Sequence, residues 1–206
     1  MTRASVSVDP YADAPRLPET GDIDPRPLVH STEPIELEIG PGRGWFLLER
    51  CEHDPSVRIL GLEIRRKRAT IVDRRLAKRG YGDRARVFAE DARAVLRRFV
   101  PGSVRIAYVH FPDPWWKKRH QKRLVVTPEL GAELARVMVV GGELFIQTDV
   151  DERAQDFEAA IAAEPAFEPW PGGPRVDDSP YVARSPRERR AMADGLPVHR
   201  LRYRRV

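Results

Sequence analysis

The segment His110–Arg123 concentrates residue types that could do chemistry. It reads HFPDPWWKKRHQKR, in which a carboxylate between two prolines is followed by two tryptophans and five lysines and arginines. Pro112 and Pro114 restrict their own φ angles and favour extended backbone at the preceding residues, so Asp113 should be held rigidly. A rigid carboxylate can accept hydrogen bonds from a base edge. Tryptophan can stack on a base, and the cationic side chains can contact phosphates.

Each part of this segment also has an ordinary structural explanation. An Asp-Pro pair is typical of a turn, tryptophans pack in protein interiors, and a run of basic residues is often a solvated face. The combination follows a run of strand-like residues, Val104–Phe111. In that position we interpret the segment as a binding site for a nucleotide.

A second candidate site is the glycine-rich turn EIGPGRG, residues 38–44. Gly40 and Gly42 would let the backbone pass close to a ligand at the start of a helix. The spacing is G-x-G-x-G, whereas dinucleotide-binding turns have G-x-G-x-x-G. Glu38 would repel a phosphate but suits a cationic amino group, and Glu63 could accept hydrogen bonds from a ribose diol. S-adenosylmethionine has both groups and no phosphate. A turn with no ligand is the alternative.

Asp91 is a further candidate, because it follows the third predicted strand, Ala85–Ala89. Its carboxylate could accept a hydrogen bond from the exocyclic amine of an adenine. Taken alone, the residue is more typical of an N-cap for a helix that begins at Ala92.

The elements that would position these residues alternate between strands and helices. The predicted strands are Ile35–Ile39, Arg58–Glu63, Ala85–Ala89, Val104–Phe111 and Glu143–Thr148. The helices are Trp45–Cys51, Arg65–Arg79, Arg93–Phe99, one that starts at Thr127-Pro128-Glu129, and Asp151–Ala163. A short helix over Ser185–Ala193 and a last edge strand over His199–Tyr203 complete the pattern. This alternation predicts an α/β fold with a mostly parallel sheet and helices on both faces. The ligand should then bind beyond the carboxyl ends of the strands.

The domain organisation follows from length and composition. A chain of 206 residues fits one α/β domain with appendages. Residues 1–33 are rich in proline and poor in apolar periodicity, which predicts a flexible or loosely docked arm. Residues 34–206 would form the domain. The net charge is +5, and basic residues cluster in the Arg65 helix and in the tail from Arg184. These clusters suit a polyanion but are also typical of solvated faces.

The sequence also bounds the cellular setting. The single cysteine, Cys51, excludes an internal disulfide and offers no metal framework, so we expect a small buried side chain and no metal site. No apolar run approaches the roughly 18 residues needed to cross a bilayer, and the N-terminus lacks the layout of a signal peptide. These features predict a soluble cytoplasmic protein without a membrane partner. They leave monomer and homodimer open.

These motifs together carry a family resemblance. HFPDPWWKKRHQKR resembles the signature of bacterial tRNA (guanine-N7-)-methyltransferases, which are S-adenosylmethionine-dependent enzymes. The resemblance extends from about Pro34 to the C-terminus. It includes EPIELEIGPGRG, GLEIRRK, the AEDA step at Asp91 and GGELFIQTDVDERA. It implies a Rossmann-like class I methyltransferase sheet with an antiparallel C-terminal edge. It also implies methyl transfer to N7 of a guanine in tRNA, in the variable loop by family habit.

The resemblance further implies roles for individual residues. Those matching the family's cofactor contacts are Glu38, Gly40, Gly42, Glu63, Asp91 and Asp113, and Asp113 also occupies the catalytic position. Those matching its tRNA or guanine contacts are Lys117, Asp149, Ser185, Glu188 and Arg190. From the residues alone, Asp149 could instead cap the helix at Asp151. Glu188 could simply pair with neighbouring arginines.

One late motif departs from the family pattern. The family has Thr-x-Phe-Glu-x-Arg, whereas residues 185–190 read SPRERR. Ser185 keeps the hydroxyl, while Arg187 replaces the phenylalanine and removes an apolar contact. Two other readings stay open on the sequence: an RNA-binding protein that has lost catalysis, and a methyltransferase acting on a small molecule. The basic segments argue against the second.

Overall fold

The structure is a computed structural model that describes residues 9–112 and 124–206. The predicted catalytic residue Asp113 and the predicted substrate contact Lys117 lie outside the described residues. Their roles therefore stay predictions.

The described residues form strands and helices close to those expected from the sequence. The strands are β1 (Ile35–Ile39), β2 (Ile59–Leu62), β3 (Ala85–Phe88), β4 (Val104–His110), β5 (Met138–Thr148), β6 (Phe167–Pro169) and β7 (His199–Arg205). The helices are α1 (Trp45–His53), α2 (Arg66–Lys78), α3 (Ala92–Val95), α4 (Pro128–Val137), α5 (Asp151–Ala162) and α6 (Pro186–Ala193). Short 3-10 helices cover Pro27–Val29 and Leu96–Arg98.

The strands form one sheet in the order β3-β2-β1-β4-β5-β7-β6. Strands β1 to β5 are parallel, and β7 is antiparallel to both of its neighbours. Ile39 at the end of β1 is paired with Leu62 of β2 and with Val109 of β4, so the three strands end level with one another. The predicted α/β sheet, mostly parallel with an antiparallel C-terminal strand, is confirmed.

The alternation of side chains along β1 separates two buried layers. Ile35, Leu37 and Ile39 pack in the layer that contains residues of α3, α4 and α5. The opposite layer is built from α1 and α2. Cys51 lies in that second layer, and burial raises the pKa of its thiol to about 11. This confirms the prediction that Cys51 is a small buried residue.

A fully buried carboxylate, that of Glu36, lies at the centre of the second layer. It accepts hydrogen bonds from Arg50, Arg105 and the hydroxyl of Tyr108. Burial and the nearby carboxylate raise the pKa of Tyr108 well above its usual value. The hydroxyl therefore stays protonated as a donor, and the buried charge is compensated on all sides.

Two features of the C-terminal half differ from the prediction. The strand predicted over Glu143–Thr148 is longer than expected, because β5 begins at Met138 and runs through Gly141 and Gly142. The extra residues form an irregularity in the pairing, because Val104 pairs with Met138 and Ile106 with Glu143. The predicted edge strand β7 is covered by β6, which at three residues is too short to show a periodic pattern.

The N-terminal segment also differs from the expected loose arm. Leu17, Ile23 and Val29 are buried in the same layer as α3 to α5. The Ile23 amide donates to Arg98 O at 2.7 Å, and the Val100 amide donates to Ile23 O at 3.0 Å. Residues 9–33 therefore lie against the domain. Isolated apolar residues between prolines carry no periodicity, so the sequence alone did not indicate this packing.

The acidity of this segment has a matching surface on α2. Asp9 pairs with Arg66 at 3.0 Å, and Asp13 pairs with Arg74 at 2.7 Å. Part of the basic face of α2 is thus balanced within the chain. Arg66 and Arg74 are therefore engaged within the chain, which differs from both interpretations of this basic cluster, a solvated face and a surface for a polyanion.

Ile23→Ala tests whether the N-terminal segment contributes to folding. Ile23 is 4% exposed, so its truncation should lower the free energy of unfolding by about 3 kcal/mol. Ile64→Ala is the matched control, because Ile64 is 62% exposed and should change stability by less than about 1 kcal/mol. Urea titration measures both values. Equal small losses would contradict the docking of this segment.

Candidate active site

A cavity of about 920 Å³ lies at the carboxyl ends of β1 to β4. It is closed on one side by the start of α6. The predicted cofactor and substrate residues that line it are Glu38, Gly40, Gly42, Glu63, Asp91, Ser185 and Arg190. Among the described site residues, Asp149 and Glu188 are not part of its lining. The structure thus brings most of the predicted site together at the place expected for a parallel sheet.

Glu38 carries a buried carboxylate with one oxygen unused. The residue is 2% exposed, and its Oε1 lies 2.9 Å from Nδ1 of His110. Its Oε2 is buried and has no hydrogen-bond partner in the described part of the chain. A buried carboxylate oxygen without a donor is costly. Since Glu38 lines the cavity, a ligand with a cationic or N–H donor would satisfy this oxygen.

Glu63 ties the glycine-rich turn to the start of α2. Its Oε2 accepts from the Gly42 amide and its Oε1 from the Arg65 amide, each at 2.9 Å. The Gly40 amide donates to Leu62 O, which holds the turn against the end of β2. The carboxylate therefore shapes the cavity wall. Each carboxylate oxygen keeps a second lone pair that can accept from a ligand. The contact of Glu63 with a ribose diol stays a prediction.

Gly44 shows why the turn ends in glycine. Its φ is +68°, and a Cβ at this position would lie 2.2 Å from Cγ1 of Val72 on α2. The backbone of the turn thus packs directly on α2, which fixes where α1 begins.

Asp91 is both a helix cap and part of the cavity wall. Its side chain accepts from the Arg93 amide at the start of α3, which confirms the capping alternative. The Arg93 side chain also donates to it at 2.7 Å, and this hydrogen bond holds the pKa of Asp91 below its usual value. Asp91 therefore remains ionised in the cavity. Its contact with adenine stays a prediction.

The start of α6 places the predicted substrate residues unequally. Ser185 is the N-cap and accepts from the Glu188 amide. Glu188 is 1% exposed and accepts from Arg184 and Arg200. It thus pairs with arginines, as the alternative reading had it, on the side of α6 away from the cavity. The side chain of Arg190 is 84% exposed and lines the cavity.

Asp149 follows β5 and is held by Arg187. The carboxylate accepts from Arg187 Nη2 at 2.7 Å and from Nε at 3.0 Å. It does not cap α5, whose N-cap is Val150 without a side-chain hydrogen bond. The residue that departs from the family motif is therefore the partner of a predicted substrate contact.

Most arginines of the basic tail are engaged inside the chain. The recorded pairs are Arg184 with Asp178 and Glu188, Arg187 with Asp149, Arg189 with Glu49, Arg190 with Asp194, Arg200 with Glu188, Arg202 with Glu143, and Arg204 with Glu168. The sequence left two interpretations of the tail open, a surface for a polyanion and a solvated face. Much of its charge instead holds the C-terminal region together.

Sequence reasoning included His110 in the predicted nucleotide-binding segment without giving it a role, and it missed Trp45 as a cavity residue. His110 ends β4 and contacts Glu38, because the two strands are adjacent and parallel. The sequence predicts the two strands but not that they are neighbours, and it is this neighbouring position that brings His110 to Glu38. Trp45 begins α1, is 40% exposed and packs under Arg75. Within residues 9–112 and 124–206, no cluster of His, Cys, Asp and Glu could hold a metal ion.

Glu188→Gln tests the structural role of this buried carboxylate. The change removes the charge that compensates Arg200, whose side chain is 7% exposed, and should lower the free energy of unfolding by about 3 kcal/mol. Glu168→Gln is the matched control, because Glu168 pairs with Arg204 at an exposed edge and should cost less than about 1 kcal/mol. Thermal unfolding compares the two. Similar melting temperatures would contradict the assignment.

Comparison with known proteins adds a family to this geometry. A family model described as "Putative methyltransferase" matches residues 32–201. A tRNA (guanine-N(7)-)-methyltransferase from Myxococcus xanthus is 38% identical over 170 residues, which is 82% of this chain and 82% of that protein. One from Synechococcus sp. is 36% identical over 172 residues, covering 82% of this chain and 71% of that protein.

Solved structures with the same fold are more distant in sequence. The geranyl diphosphate C-methyltransferase from Streptomyces coelicolor, in complex with S-adenosyl-L-homocysteine, matches with a TM-score of 0.57 at 17% identity. The match covers 84% of this chain and 71% of that one. An rRNA methylase from Streptococcus thermophilus matches with a TM-score of 0.55 at 13% identity, over 84% and 87% of the two chains. At these identities the likeness concerns the fold alone.

The relatives above 30% identity and the family model both span most of the chain. The chain belongs to the tRNA (guanine-N(7)-)-methyltransferase family.

Proposed function

We propose that this protein transfers a methyl group from S-adenosylmethionine to N7 of a guanine in tRNA. The observation that carries the proposal is the separation of charge in the cavity. Its buried acids, Glu38 and Glu63, are 2% and 4% exposed. Exposed arginines stand in its lining, namely Arg43, Arg65, Arg68, Arg187 and Arg190. A cationic cofactor suits the acids, and a polyanionic substrate suits the arginines.

The cavity residues fit S-adenosylmethionine. The unused Oε2 of Glu38 offers an acceptor for the amino group of the cofactor. Glu63 and the turn at Gly40 and Gly42 would hold the ribose, and Asp91 would face the adenine. When bound, the cofactor supplies an electrophilic methyl group on a sulfonium. The names of the family relatives support the same assignment.

The reaction asks little acid–base chemistry of the protein. Guanine N7 is a lone pair without a proton, so no general base is needed at that atom. The protein must hold the base in line with the methyl group and stabilise the positive charge that develops on the ring. Asp113 would do both, as the family resemblance implies. Lys117, Ser185 and Arg190 would contact the tRNA.

The setting follows from the substrate. Among the described residues, no helix is long and apolar enough to cross a membrane. A tRNA-modifying enzyme works where tRNA is, so we place the protein in the cytoplasm.

Glu38→Gln tests the cofactor contact. The variant keeps the shape of the side chain but loses its charge, and should weaken the binding of S-adenosylmethionine by about tenfold or more. Isothermal titration measures the dissociation constant. Glu52→Gln, on the exposed face of α1, is the matched control and should bind as the wild type does. An unchanged constant for Glu38→Gln would remove Glu38 from the cofactor site.

Asp113→Asn tests the reaction itself. Incubation with a labelled methyl donor and unmodified tRNA, followed by cleavage at N7-methylguanine, should show a single modified position with the wild-type protein. Because the variant lacks the charge opposite the developing ring cation, its rate should fall by about 100-fold. Asp83→Asn, at an exposed position, should keep the wild-type rate. Absence of N7-methylguanine with the wild type would refute the proposed function.

A further inference from the structure

Arg187 and Asp149 stand in different positions relative to the cavity. Arg187 is part of the lining, whereas Asp149 is not among the described lining residues. The side chain of Arg187 is 60% exposed, and that of Asp149 is 16% exposed. Of this pair, Arg187 is therefore the member that a substrate in the cavity can contact.

The contact between them fixes the orientation of the guanidinium. Arg187 Nε and Nη2 both donate to Oδ2 of Asp149. Two donors on one acceptor hold one edge of the planar group. Nη1 has no hydrogen bond recorded to the described residues, and so it is available to another acceptor. The carboxylate of Asp149 thus holds one edge of the guanidinium and leaves the Nη1 end for a ligand.

A second exposed arginine lies close by on the same helix. Arg190 follows Arg187 by three positions on α6, and side chains at this spacing are neighbours on a helix surface. Its side chain is 84% exposed, and its pairing with Asp194 spans 3.5 Å at the surface. Each guanidinium is paired with an aspartate, and both arginines line the cavity. Two neighbouring guanidinium groups can donate together to a phosphate group.

From this geometry we infer that Arg187 contacts a backbone phosphate of the tRNA next to the target guanine. Asp149 is then a positioning residue that orients Arg187, and it does not contact the base. The inference rests on the proposed function. It assigns a role to the residue that departs from the family motif, and it changes the role that the resemblance implies for Asp149.

The test is the salt dependence of tRNA binding. Each phosphate contact contributes about 0.7 to 0.9 to the slope of log K against log salt. Arg187→Phe restores the family residue and should lower the slope by about that amount, with an affinity about five- to tenfold weaker near 0.1 M salt. Arg187→Lys keeps a charge and should keep most of the slope. Arg204→Phe is the matched control and should behave as the wild type, because Arg204 lies on β7 beside the edge strand β6 and is not among the described residues that line the cavity.

Asp149→Asn separates the two roles of the pair. If Asp149 only positions Arg187, Asp149→Asn should raise KM for tRNA about threefold to fivefold and leave kcat nearly unchanged. The slope of log K against log salt should stay at the wild-type value. In the Arg187→Phe background the substitution should have no further effect. A large fall in kcat in that background would show that Asp149 contacts the base itself and would overturn the inference.

An unchanged salt-dependence slope in Arg187→Phe would also overturn the inference. This result would mean that Arg187 does not contact a phosphate, for example because it stacks on a base. This failure is distinct from failure of the proposed function. In the first case the wild type still methylates tRNA and binds it with a salt-dependent affinity. If the wild type does neither, both the function and the inference fall.

Discussion

The level ends of neighbouring parallel strands are the constraint on which this molecule depends. Ile39, Leu62 and Val109 stand in register, so the residues that follow or precede them meet at one edge. Glu38 can contact His110 across 72 positions of sequence because β1 and β4 are adjacent. Parallel strands need crossover connections. The strand order reverses between β1 and β4, and a crevice opens there beyond the carboxyl ends of the strands. The glycine-rich turn and Glu63 then shape its wall.

The positive charge of the chain serves the fold at least as much as the substrate. Buried Glu36 and Glu188 each organise arginines from separate elements. Glu49 on α1 accepts from the Arg184 amide and from the Arg189 side chain, and thereby links the two walls of the cavity. Such pairs compensate buried charges more than they add stability. Other arginines, among them Arg43, Arg68 and Arg190, line the cavity.

The effect of a substitution within a motif depends on the residues that surround it in the fold. Arg187 in place of phenylalanine looks like the loss of an apolar contact. In the fold it lies beside Asp149, and the two form an ion pair. The N-terminal segment offers a similar lesson, because its acids face the basic side of α2. In both places an ion pair joins segments that are distant in the sequence, while buried Leu17, Ile23 and Val29 hold the N-terminal segment against the domain.

The sequence by itself determined the α/β fold, the strand-to-helix turn at Gly40 and the acids at the strand ends. Each of these depends on local rules of periodicity, backbone conformation and charge, which neighbouring residues express. Tertiary structure alone decided that Glu188 is buried, that β6 covers β7 and that Asp149 pairs with Arg187. These outcomes depend on which distant segments meet. The interaction energy of two charged side chains depends on the distance between them, and only the folded structure sets that distance.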